Sequence, residues 1–158
     1  MPPSAIDQQP GKAMTSHRIG ADDIAQMMND LFSSMLEMPL NAEPEQTTDV
    51  SSRDVQATIR ISGDWTAECH VLVSDELAAR IASDMFGAPS SELTNEEILD
   101  ALGEVVNVIG GNAKGMVDLD CDLSLPCVGR FLGELPSSAL QLDFDCAGMP
   151  VTVAMLEK

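Results

Sequence analysis

Tyrosine is absent from this 158-residue chain, tryptophan occurs once and phenylalanine four times. So sparse an aromatic content offers no platform on which nucleic-acid bases could stack. Basic residues are scarce too: 8 lysines and arginines stand against 26 acidic residues, a formal net charge of -18. That sign repels phosphate backbones and excludes ordinary nucleic-acid binding, whereas a partner with a basic rim would be favoured. Nowhere does the sequence approach the roughly 18 consecutive apolar residues of a membrane span. Met1-Pro2-Pro3-Ser4 leads into polar sequence with no apolar core of a signal peptide, so a cytoplasmic protein is expected. No C-x-x-C pair occurs among Cys69, Cys121, Cys127 and Cys146, and neither His17 nor His70 lies at ligand spacing from one. No metal site is therefore expected. The four thiols read as small buried hydrophobes.

What is present is enough apolar sequence, 44% of residues, for one domain with a real core. Residues 1–20 read as a disordered tail, with Pro2, Pro3, Pro10 and Gly11 and no periodicity; residues 21–158 read as a single domain. A helix is predicted from about Asp22 to Met38, ended by Pro39, with Ile24, Met27, Met28, Leu31, Phe32, Met35 and Leu36 on one face. Asn41 to Asp49 read as a polar loop. Val55, Ala57, Ile59 and Ile61, then Trp65, Ala67, Cys69, Val71 and Val73, alternate on either side of Gly63-Asp64, which predicts a hairpin. This alternation puts His70 on the solvated face.

A second helix is expected from Asp75 to Phe86, ended by Gly87. Thr94 and Glu97 form a capping box for a third, reaching about Val117, with Leu93 and Ile98 placed as a hydrophobic staple. Strands follow at Leu123 to Val128 and Arg130 to Leu132. A closing hairpin pairs Leu140–Cys146 with a return through Val151, Val153 and Met155, turning at Ala147 to Pro150. Hairpins rather than β-α-β alternation predict an α+β fold with a largely antiparallel sheet and three main helices.

At 100° per residue the third helix divides in two. Ile98, Leu102, Val105, Ile109, Ala113 and Met116 form a core face, and Asn112 projects toward that side. Asp100, Glu104, Asn107, Gly111 and Lys114 form a polar stripe opposite it. Alone, such a stripe is a solvated helix face. Gly103, Gly110 and Gly111 lie on or beside it, each costing ~1 kcal/mol relative to alanine. Two readings explain that cost: a partner approaches closely, or a neighbouring helix of the same molecule does.

Asp100-x-x-x-Glu104-x-x-Asn107 resembles the D/S-x-x-x-E-x-x-N signature of the CheC/CheX/FliY-type chemotaxis phosphatases. Glu104-Val105-Val106-Asn107-Val108-Ile109-Gly110-Gly111-Asn112-Ala113-Lys114 is similar to the CheX branch in particular. So are Asn29 to Leu36 of the first helix, while Leu123 to Val128 resemble the strand carrying the family's proline, here Pro126. The signature occurs once, as in CheX, and the interval from Asn107 to Pro126 is shorter than in the general motif.

The resemblance implies a protein-aspartyl-phosphate phosphatase acting on a CheY-like receiver domain. Glu104 and Asn107 would enter the receiver's active site, Asn107 orienting the attacking water and Glu104 pairing with the receiver's lysine. Asp100, Gly111 and Lys114 are possible supporting residues, with Asp100 either polarising the rim or simply solvated. No cofactor of its own is implied, because Mg2+ is supplied by the receiver. The resemblance also implies a homodimer through sheet pairing. The competing reading is a non-catalytic CheX-like dimeric module that binds a receiver or another signalling partner.

Overall fold

The computed structural model describes residues 19–43 and 50–158. Helix α1 (Ala21–Ser34) is followed by β1 (Leu40–Ala42), β2 (Val55–Gly63), β3 (Ala67–Val73) and α2 (Asp75–Phe86). A single 3-10 turn leads into α3 (Asn95–Val117), then β4 (Cys121–Leu123), β5 (Cys127–Arg130), β6 (Leu140–Cys146) and β7 (Met149–Glu157). All described pairings are antiparallel, in the order β1-β6-β7-β3-β2, with β4 and β5 end to end along the far edge of β2. Among the described residues the expected α+β architecture with three helices is present. All three helices cover one sheet face, where Ala57, Ile59, Cys69, Val71, Val151 and Val153 meet Phe32, Leu77, Ile81, Leu102, Val105 and Ile109.

Elements fixed by local signals match the sequence reading. Helix α2 has the predicted bounds, with Ser74 accepting from the Leu77 amide and Gly87 ending the helix at φ 67, a conformation glycine adopts without a Cβ penalty. Thr94 and Glu97 cap α3 reciprocally, through Glu97 N to Thr94 Oγ1 at 3.1 Å and Thr94 N to Glu97 Oε1 at 2.8 Å.

Elsewhere tertiary contacts override the pattern. α1 stops at Ser34 rather than Met38: Glu37 turns left-handed (φ 53), and Leu36 and Met38 are buried from a non-helical turn. Asn41 and Ala42, expected in a loop, pair with β6; the rest of that loop, 44–49, lies outside the described residues. So does the expected tail as far as residue 18, but Ile19 is fully buried and donates its N–H to Glu157. The strand expected over Leu123 to Val128 is broken. Between the pairs Ile61–Leu123 and Thr58–Cys127, two residues of β2 oppose three: Ser124, Leu125 and Pro126. This is a bulge, the usual place for a proline that cannot donate to the ladder. The next strand is Cys127–Arg130, not Arg130–Leu132. Pro150, expected in a turn, pairs within β7, and Ala147-Gly148 alone make the turn.

The second sheet face is less solvated than alternation implied. Arg53 lies across it, donating from Nε to Thr152 Oγ1 at 3.0 Å, while Thr152 donates to Asp143 at 2.8 Å; all three are buried. His70 is buried too, at 6% exposure, contrary to the sequence reading. Its Nε2 faces Glu68 at 3.2 Å, and its Nδ1 faces the Gln56 amide at 3.0 Å and Thr58 Oγ1 at 3.1 Å. A neutral ring with its proton on Nε2 satisfies both sides.

Burial lowers the His70 pKa below the ordinary 6.5, outweighing the upward pull of Glu68; Arg60 and Lys158 nearby also lower it. The unfolded chain therefore binds a proton that the folded chain resists. Stability should be complete above about pH 6.5 and decline as pH falls toward the lowered value. Glu68 is held below its usual 4.5, chiefly by Lys158, so its own contribution is lost only at more acidic pH. Melting temperatures between pH 7.5 and 5.5 should thus fall more steeply for the wild type than for His70→Gln. Equal slopes would remove His70 as the cause.

Candidate functional site

Helix α3 lies on β2, β3, β4 and β5 and touches both other helices. Ala101, Leu102, Gly103, Val105, Val106, Ile109, Gly110 and Ala113 are buried. The buried face is wider than a single stripe because three sides of the helix have neighbours.

What remains open is narrow. Asp100, Glu104 and Gly111 are exposed, and Asn107 and Lys114 are half-buried. All five residues of the predicted stripe thus share one accessible face. Glu104 and Asn107, one turn apart, have Cβ atoms about 5–6 Å from each other. Neither side chain has a hydrogen-bond or ion-pair partner among the described residues. The backbone beneath them is held on a fully buried face, so an unpartnered carboxylate and an unpartnered amide are presented from a fixed base.

Beside Glu104 a groove of about 410 Å³ runs between α3 and the bulge. Its helix wall carries Glu96, Asp100 and Glu104, and its strand wall carries Pro126 and Val128. The proline's packing role against α3 is not visible in sequence, because it depends on one extra residue in the strand.

Several placements differ from the helical-wheel reading. Gly103 and Gly110 are buried against strands, not against a neighbouring helix and not on the exposed stripe, and of the two only Gly110 is packed too closely for a methyl group. Of the three glycines only Gly111 is open: a methyl group in place of its hydrogen would have nothing within 4 Å. Met116 is 45% exposed and Asn112 is exposed, because the last turns of α3 outrun the core. Lys114 lies in the last helical turn, where a cation complements the helix dipole. Cys127 is exposed, whereas Cys69, Cys121 and Cys146 are buried as expected. Burial pushes the Cys69 thiol up to about 12, which leaves it inert as a nucleophile. Among the described residues no cluster of three or more His, Cys, Asp or Glu could hold a metal ion, and no helix is long and apolar enough to cross a membrane.

Residues 55–131, spanning β2 through the bulge and the whole of α3, match the family described as chemotaxis phosphatase CheX. About half of the chain, including all of α3, thus matches the CheX family. Solved relatives share its fold. Chemotaxis protein CheX from Vibrio vulnificus superposes with a TM-score of 0.74 at 19% identity, covering 91% of this chain and 100% of that one. The CheX of a CheX-CheY-BeF3-Mg2+ complex from Borrelia burgdorferi superposes with a TM-score of 0.71 at 18% identity, covering 85% and 95%. FliY from Thermotoga maritima is more distant, with a TM-score of 0.55 at 17% identity, covering 85% and 87%. At such identities the structures speak for the CheX fold. No curated protein sequence matches the chain.

Proposed function

We propose that this CheX-like protein dephosphorylates a CheY-like receiver domain by inserting Glu104 and Asn107 of α3 into the receiver's active site. The observation that carries this reading is the unpartnered Glu104–Asn107 pair, one turn apart on the open face of an otherwise buried helix. A relative held in a complex with CheY, BeF3 and Mg2+ supports the choice of partner. The magnesium belongs to the receiver's site.

The chemistry suits so small a constellation. Water attacks phosphorus in line, the bond from phosphorus to the aspartyl oxygen breaks, and the carboxylate and inorganic phosphate leave. Such a reaction needs a positioned nucleophile and stabilised charge more than covalent help. The Asn107 amide can both donate to and accept from a water, whereas a carboxylate there would repel the phosphoryl oxygens. Glu104 is the complement of a receiver lysine. For the homodimer that the family resemblance implies, β5 offers an edge, since its described pairing is with β2 alone.

The test uses a CheY-type receiver carrying radiolabelled aspartyl phosphate. Faster label loss on adding the protein is expected; unchanged or slower loss would make it a binding module instead. Gly111 gives a second measurement. Its surroundings are empty, so Gly111→Ala should hold or raise the melting temperature, by up to the ~1 kcal/mol of helix propensity. The same methyl group should obstruct the receiver and lower phosphatase activity. A variant with unchanged activity would show that the receiver does not approach the helix there.

A further inference from the structure

We infer that Gly110, with a looser contact at Gly103, sets the depth at which α3 sits on the sheet and so acts as a positioning residue for Glu104 and Asn107; this rests on the phosphatase reading above. The two glycines lie seven residues, hence about 10 Å, apart along the helix, and both are buried. A Cβ at Gly110 would stand 2.9 Å from Cγ2 of Ile59 and 3.5 Å from Cδ2 of Leu123. A Cβ at Gly103 would meet Cγ of Pro126 at 3.4 Å and Cγ2 of Val128 at 3.5 Å. The helix backbone thus rests on β2 and β4 at one point and on the bulge and β5 at another. Glu104 and Asn107 fall between these two points, on the open side.

Glycine is a poor helix former, and its presence at position 110 is explained by these contacts. The contacts are unequal. Ile59 is fully buried in the middle of β2, and its β-branch methyl is fixed by the backbone, so a new methyl at Gly110 must lift the helix. At Gly103 the distances are those of ordinary van der Waals contact, so a methyl group fits there and Gly110 is the stop. Orienting a water for in-line attack depends on placement to a fraction of an ångström; a 1 Å error costs about 100-fold. A helix raised by a few tenths of an ångström would carry Asn107 out of register with the receiver while leaving its own chemistry intact.

The test compares Gly110→Ala, Ile59→Leu and the double variant, by crystal structure and by steady-state turnover of an acetyl-phosphate-charged CheY-type receiver. Leucine keeps the volume of isoleucine but lacks the β-branch methyl that the new Cβ would strike, and such swaps are well tolerated in cores. Gly110→Ala should displace α3 at Asn107 and lower kcat about tenfold, with KM changed less than about threefold. The double variant should return kcat to within about threefold of Ile59→Leu alone. A merely structural glycine would lower the melting temperature and leave the kcat of the folded protein unchanged, which overturns the proposal. So does an unmoved Asn107, or a double variant that regains stability without regaining kcat. A wild-type chain with no turnover would refute the phosphatase reading by itself. The depth proposal is then decided by affinity for the beryllofluoride-charged receiver: it stands if Gly110→Ala weakens binding and the double variant restores it, and it falls otherwise.

Discussion

Replacing Asn107 with alanine should lower the rate of receiver dephosphorylation by about 10²- to 10³-fold, corresponding to ~3–4 kcal/mol of transition-state stabilisation. The size follows from losing one oriented hydrogen-bonding group at the reacting centre. The fold should not suffer, because the Asn107 side chain has no partner among the described residues and alanine is the better helix former. The melting temperature should therefore stay level or rise slightly while activity collapses. Single-turnover measurement of label loss, with excess protein over charged receiver, isolates the chemical step from docking. A variant retaining more than half the wild-type rate would rule out the water-orienting role.

Glu104→Ala should act differently, weakening docking as well as turnover. The carboxylate is exposed and unpaired among the described residues, so its charge is available to a receiver lysine. Truncating one partner of a charge pair that becomes buried on binding costs about 2 kcal/mol or more, or roughly 30-fold in kcat/KM. Glu96 and Asp100 on the same groove wall add to the negative field that draws a basic rim. Raising the salt concentration should accordingly slow the wild-type protein by screening that attraction, and Glu104→Ala should respond less. A flat salt profile together with an unaffected variant would contradict the charge-pair role.

Legibility in the sequence follows the range of the interactions. The cap of α3 and both ends of α2 depend on residues a few positions apart, and sequence and structure agree on them. The stripe of Asp100, Glu104 and Asn107 is also visible, because helical geometry alone brings those residues together. The two buried glycines are misplaced by a helical wheel because the wheel assumes one buried stripe, whereas α3 is embedded on three sides. His70 and Asp143 are invisible as buried groups for another reason. Period-two alternation assigns them to the polar face, and nothing local reveals that Arg53, far from Asp143 in sequence, crosses that face to cover it. The bulge at Ser124–Pro126 is hidden on similar grounds, since register is a property of two strands and cannot be read from one.

Trp65 offers a practical consequence. It is the only tryptophan in a chain without tyrosine, and it is 5% exposed, donating its indole N–H to Glu157 at 2.9 Å. Glu157 also accepts from the Ile19 amide, so one carboxylate ties the β2–β3 connection, the end of β7 and the start of α1 together. Ultraviolet emission from the protein is therefore a single-fluorophore signal, and it comes from a junction of three chain segments distant in sequence. A red shift of that emission should mark the loss of this junction, without the overlapping contributions that complicate most intrinsic-fluorescence records.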